Sequence, residues 1–340
     1  MKKLFIFVTL SILGLTSCSS KPEGQKKIKL IFETDMGNDV DDALALDMIY
    51  KYVEVGKVDL LAIMSNKNSA YSAEFTDIMA TWYGHADVPI GIVKDGVDSE
   101  SDAVNYARVV CEIAVDGKPA FERTRTDYES LPEAAGLYRK MLAQQPDHSV
   151  HLVSVGFSTN IAKLLDTPAD AYSPLTGKEL VAAKVKQLVM MAGSFGENPL
   201  KEYNVVKDIP AVQKIFSEWP TPVVITPFEV GIKINYPAAS IENDFNWGVL
   251  HPMVEAYKAY LPMPYDRPTW DLTAVLYVAE PDSVFMNKSP QGIIHVDSAG
   301  YTIFEPVESG NHIYLDVTDE QADKIKNYFI RLITQKPRVL

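Results

Sequence analysis

Residues 28–46 read IKLIFETDMGNDVDDALAL. The stretch opens on an apolar run, Ile28, Leu30, Ile31 and Phe32, bounded by turn-forming residues, which is the pattern of a buried strand. Asp35, Asp39, Asp41 and Asp42 follow in close succession. Helix-forming residues come next, at 43–52, so Asp41 or Asp42 reads as a helix N-cap. The aspartates therefore belong to a strand-to-helix loop. In an α/β sheet such a loop lies at the carboxyl end of a strand, where ligands bind. Crowded carboxylates repel one another, and a hard cation with oxygen ligands relieves the repulsion, Ca²⁺ first and Mg²⁺ second.

The same alternation continues outward from this stretch. Apolar runs at 58–64, 88–93, 150–155, 185–192 and 222–226 read as strands. Between and after them, segments 73–83, 103–114, 133–144, 160–165, 211–219, 247–260 and 271–279 read as helices. A Pro-rich loop runs to Thr269, residues 293–317 read as two or three short strands, and 320–333 as a closing helix. Repeated strand–helix units predict an α/β fold, a mostly parallel central sheet flanked by helices on both faces. With 47% hydrophobic residues, the 340-residue chain can bury a large core. No internal repeat is visible, and residues 28–340 read as a single domain.

The N-terminus reads as a targeting segment. Lys2 and Lys3 precede an apolar core too short to span a bilayer, and Leu15-Thr16-Ser17-Cys18 follows. This resembles a bacterial lipoprotein signal: residues 1–17 are cleaved, Cys18 is acylated and residues 18–27 form a polar tether. The expected product is exported and lipid-anchored to a bacterial membrane. Cleavage also removes two lysines, taking the formal charge from −13 to about −15. So acidic a chain disfavours nucleic acid and anionic lipid as partners. Cys111 is then the remaining cysteine, and no intramolecular disulfide can form.

The acidic loop fits neither of two common uses of clustered aspartates. An EF-hand opening at Asp35 needs glycine where Val40 stands and glutamate where Leu46 stands. A phosphatase with an aspartyl nucleophile wants aspartate at Glu33. By contrast, Asp35-x-Gly37 followed by Asp41-Asp42-Ala43-x-Ala45-Leu46 resembles the signature of the inosine-uridine preferring nucleoside hydrolases. Asn38-Asp39-Val40 stand where that family has one residue, and no role follows for Asp39. Further loops agree in order: Ser65-Asn66, Val155 to Asn160, Glu197-Asn198-Pro199 with Glu202-Tyr203-Asn204, and Trp270-Asp271. The resemblance covers essentially the whole mature chain.

The resemblance implies calcium-dependent hydrolysis of the N-glycosidic bond of ribonucleosides, yielding free base and ribose for scavenging. It assigns the cation to Asp35, Asp42, Asp271 and the Val155 carbonyl, with Asp35 also taking a proton from water. It assigns ribose contacts to Asp41, Asn66, Asn198, Glu202 and Asn204, and a homo-oligomeric state. Many members place a histidine before the last aspartate to protonate the base, whereas Trp270 stands there in this chain. The purine-specific branch uses tryptophan at that place, so the expectation leans to purines. Trp270 either stacks on the base, worth about 1–3 kcal/mol, or packs the pocket wall. None of the six histidines matches a motif, and no general acid is assigned. Two other readings use the same pocket: a non-catalytic nucleoside- or sugar-binding lipoprotein, and a hydrolase of another riboside.

Overall fold

The computed structural model describes residues 1, 26–97, 105–281 and 284–340. The signal segment, Cys18 and most of the tether lie outside the described residues, as does the start of the expected helix 103–114. No helix among the described residues is long and apolar enough to cross a membrane.

Strand β1 (Ile28–Thr34) lies in the interior of the main sheet. The other strands are β2 (Val58–Ser65), β3 (Ile90–Ile92), β4 (Val150–Ser154), β5 (Val185–Met191), β6 (Val223–Thr226), β7 (Asn287–Lys288), β8 (Gly292–Val296), β9 (Thr302–Pro306) and β10 (His312–Asp316). Their order is β9-β8-β10-β6-β5-β4-β1-β2-β3, with β7 beside β10. Every neighbouring pair from β3 to β10 is parallel. The contacts of β7, β8 and β9 are antiparallel. The sheet is therefore mostly parallel, flanked by helices and built as one domain, as expected.

Strand periodicity explains the two-sided core. Successive side chains point to opposite faces of a sheet. Leu30 and Phe32 enter one apolar cluster and Ile31 the other. Helices Asp41–Glu54, Asp271–Ala279 and Asp319–Ile333 cover the first face, and Ala134–Ala143, Thr159–Asp166 and Ile209–Glu218 the second. Each fully buried side chain such as Phe32 contributes about 1.5–3 kcal/mol.

The strand order also places the site. The chain winds outward from β1 to β2 and β3, then returns to the other side of β1 with β4. Loops leaving β1 and β4 therefore diverge and open a crevice at the carboxyl ends of these strands, the switch point where ligands bind in open α/β sheets. Residues Asp35 and Val155 follow these two strands directly.

Some elements differ from expectation. The helix expected at 247–260 spans Pro252–Tyr260. Proline has no N–H to give and favours the first turn, so the helix starts there with His251 as its N-cap. The long loop after β5 contains a short helix, Tyr203–Lys207.

Candidate active site

The loop after β1 turns sharply at Gly37, whose φ of +111° lies in the left-handed region open to glycine. The following helix begins at Asp41, and its N-cap is Val40, with no side-chain cap bond. This corrects the expectation of an aspartate cap. Asp41 and Asp42 instead sit in the first turn, at the positive end of the helix dipole. Their carboxylates are thus free to meet other elements.

Asp41 reaches the start of helix Asp271–Ala279. Its Oδ2 accepts the backbone N–H of Trp270 at 2.8 Å and of Asp271 at 3.0 Å. Two helix N-termini consequently converge, and Asp41, Asp42 and Asp271 form one buried group, with ligand oxygens within 4.8 Å of one another. The Thr34 hydroxyl donates to Asp42. Burial pushes all three carboxyls well above the usual range, and neighbouring carboxylates push them further. Such a group of hard oxygens, short of positive charge, fits a divalent cation. The Val155 carbonyl lines the same cavity and accepts from Asn204 Nδ2 at 3.0 Å. A carbonyl has two lone pairs, so this bond leaves one for a cation.

Asp35 lies beside this group in the same cavity. Asn38 Nδ2 donates to Asp35 Oδ2 at 2.7 Å, and Lys67 Nζ donates to Asn38 Oδ1 at 2.7 Å. Burial raises the Asp35 carboxyl to about 6, opposed by the Asn38 bond and the Lys67 charge. Gly156 permits the tight approach here: a Cβ on it would lie 2.5 Å from Asp35 Oδ1 and 2.6 Å from Asn66 Oδ1.

The loop after β5 closes another side of the cavity. Glu202 accepts backbone N–H groups of Gly193, Asn204 and Val205 at 2.9–3.2 Å, and burial lifts it to about 7. The antiparallel edge holds this loop too: Ser194 N–H donates to Thr302 Oγ1, which donates back to Ser194 O. Glu229 takes the Ser194 hydroxyl and the N–H groups of Phe195 and Gly196.

Of the residues singled out from sequence, the structure brings Asp35, Asp41, Asp42, Val155, Glu202, Asn204, Trp270 and Asp271 around one cavity of about 580 Å³. Asn66 lies behind the wall, fully buried, its Nδ2 on Glu33 Oε1 at 3.1 Å and its Oδ1 without a partner. Asn198 is exposed and does not line the cavity. No histidine is among the described lining residues. Sequence reasoning missed Asn38, Arg267, Tyr260 and Phe228, which also line the cavity. Asp39, without a role in sequence, binds Arg267 through Nε and Nη2. A signal existed: both Asn38 and Asp39 belong to the segment that is longer than the family pattern.

Fold and site define a doubly wound α/β enzyme whose pocket is built to hold a cation among carboxylates. Residues 30–328 match the family described as inosine-uridine preferring nucleoside hydrolase, and the chain belongs to it. It is a metal-dependent N-ribosyl hydrolase, a glycosidase acting on N-glycosyl compounds. The fold is similar to that of a plant nucleoside hydrolase, with TM-score 0.67, 16% identity, and 92% of this chain and 100% of that one covered. It is also similar to a purine-preferring ribonucleoside hydrolase from Gardnerella vaginalis, with TM-score 0.67, 16% identity and coverage of 90% and 98%. For an inosine-guanosine nucleoside hydrolase the values are 0.65, 20%, 90% and 97%. At these identities the likenesses establish the fold alone. No curated protein matches the sequence.

Proposed function

We propose that this protein carries out calcium-dependent hydrolysis of ribonucleosides, with a lean to purines. The observation that carries the reading is the buried group Asp41, Asp42 and Asp271 with Asp35 held beside it by Asn38. The donors are all oxygens, which suits Ca²⁺ ahead of softer ions. Asp35, Asp42, Asp271 and the Val155 carbonyl would hold the cation. A bound cation lowers the pKa of a water molecule and orients it.

The chain's own residues supply the remainder. Cleavage of an N-glycosidic bond builds positive charge on the ribose ring. Asp35, oriented by the Asn38 amide at 2.7 Å, would accept the proton of the attacking water. Glu202 and Asn204 would offer polar atoms to the ribose hydroxyls, and Asp41 would meet a further ribose hydroxyl. Each such contact is worth about 1–3 kcal/mol when its partner is removed. Asn66 Oδ1, buried and unpartnered, contributes polarity behind Asp35. Trp270 forms part of the base-side wall, where its half-buried ring stacks on Phe228 at 5.6 Å.

The test is release of reducing sugar from a panel of nucleosides and synthetic ribosides. Turnover that disappears with chelator and with Asp42→Ala is expected. Tight nucleoside binding by calorimetry with no release from any member would overturn the reading. We also propose export and acylation at Cys18, supported by the sequence of residues 1–18 alone. Palmitate labelling that survives Cys18→Ser would reject it.

A further inference from the structure

The family's usual leaving-group histidine is replaced by Trp270, and Trp270 cannot stand in as a donor. Its indole Nε1–H already donates to the Phe228 carbonyl at 2.9 Å. The ring is locked from another side by Gly231, where a Cβ would fall 2.2 Å from its Cδ1. The cationic donor beside it is Arg267. Its guanidinium lies 5.3 Å from the Trp270 ring centroid and 5.0 Å from that of Tyr260, and all three line the cavity. Asp39 fixes the group by accepting from Nε at 2.9 Å and from Nη2. This bidentate grip leaves Nη1 and the outer N–H of Nη2, the guanidinium's end edge, turned to neither oxygen of Asp39. Asp39 comes from the long segment after Gly37 and Arg267 from the Pro-rich loop before Trp270, so the lengthened loop serves to aim the arginine.

We infer that Arg267 is the leaving-group residue of this pocket and that it selects 6-oxopurine nucleosides. The inference rests on the hydrolase reading above and deepens it. A guanidinium stays protonated in proteins, so it does not act as a general acid. It stabilises instead the negative charge that arrives on the base. The C1′–N9 bond breaks with its electron pair going to the purine, and the water oxygen bonds to C1′. The water proton passes to Asp35, and the departing purine anion takes a proton from solvent. The charge on a 6-oxopurine collects at O6 and N7, the edge that arginine matches with parallel N–H donors. Adenine presents an N6 donor at that edge and meets Arg267 with a donor against a donor. A site built to hydrogen-bond one group rejects the analogue that lacks it. Stabilisation that develops only as the bond breaks raises kcat more than it lowers KM.

The experiment measures kcat and KM of the calcium-loaded protein on inosine, adenosine and p-nitrophenyl riboside, whose leaving group needs no help. Wild-type protein is expected to favour inosine over adenosine by at least tenfold. Arg267→Met should lower kcat for inosine by tenfold or more and bring the two purines within about threefold. Its turnover of the nitrophenyl riboside should stay within about threefold of wild type. Arg267→Lys keeps the charge beside Asp39 but loses the planar fork, and should lose the selectivity as well. Equal losses on all three substrates, retained selectivity in both variants, or a wild type indifferent to O6 would each overturn the assignment. The wild-type comparison needs no variant to fold. Absence of sugar release from every riboside would instead overturn the hydrolase reading, and this inference with it.

Discussion

Asp41 and Asp271 are held together by a hydrogen bond: Asp41 Oδ2 accepts the Asp271 N–H at 3.0 Å, although 230 positions separate them in the chain. The bond brings the first turns of two helices together and sets the buried carboxylates of Asp41 and Asp271 beside that of Asp42. The arrangement gathers three buried carboxyls within 4.8 Å of one another. Its consequences for stability and activity are testable.

Without a cation, the protein should lose stability as pH rises. Burial raises Asp35 to about 6, Glu202 to about 7 and Glu33 to about 8. An acid with a raised folded pKa binds more protons folded than unfolded. Stability is therefore greatest below about pH 4, the ordinary carboxyl range, and falls as pH climbs through 6–8. Thermal melts in chelator across pH 4.5–8.5 should show this slope. Glu33→Gln should flatten its upper part, and an unchanged slope would reject Glu33 as a source.

Calcium should reverse the loss. A ligand that binds only the folded state at 100 times its Kd stabilises by about 2.7 kcal/mol, or roughly 5 °C for a domain of this size. Titrating Ca²⁺ into chelated protein at pH 7.5 should raise the melting midpoint by that order. In Asp42→Asn the rise should shrink severalfold, while the metal-free midpoint should not fall, since one repelling charge is gone. A large metal-free destabilisation would show that the Thr34 hydrogen bond to Asp42 matters more than the repulsion.

Asn38 should govern turnover through the placement of Asp35. Its amide bridges the Asp35 carboxylate to Lys67, with 2.7 Å on each side. Hydrogen bonds to charged groups are worth about 1.5–3 kcal/mol. Asn38→Ala should lower kcat by roughly 10–100-fold and leave KM within about threefold, with Asn38→Gln restoring part of the loss. A rise in KM alone would place Asn38 on substrate rather than on Asp35.

Trp270 should prove sensitive to its backing. A methyl group at Gly231 would collide with Trp270 Cδ1, Cγ and Cα at 2.2–2.6 Å. Gly231→Ala should displace the indole and cost about 1–3 kcal/mol, the usual penalty of overpacking. Nucleoside turnover should fall in parallel with Trp270→Ala. If Trp270→Ala lowers purine and nitrophenyl riboside turnover equally, the ring packs the wall and does not stack on the base.

Much of this protein was legible along the chain. Periodicity gave β1, β2, β4, β5 and β6 to within a residue or two, because a parallel strand buried on both faces must be apolar throughout. Loop chemistry also showed through: of the residues named from sequence, Asp35, Asp42, Val155 and Asp271 do meet at one crevice. The N-cap was misread because Val40 occupies the turn and the paired aspartates follow it. Asn198 carries the right residue type in the right loop yet is exposed, since Glu229 and Thr302 pin the loop at Ser194 and leave residues 196–199 outside.

Sequence by itself determined the class of the fold, the crevice and the oxygen-rich chemistry of its floor. These follow from local pattern: hydrophobic period fixes strands and helices, and their order fixes where the loops diverge. Tertiary structure alone decided which carboxylates come together and which other residues line the cavity. Asp41 joins Asp271, and Asp39 aims Arg267, through contacts between segments more than 200 residues apart. Such pairings leave no periodic trace in a sequence, because they depend on where the sheet's winding carries each loop.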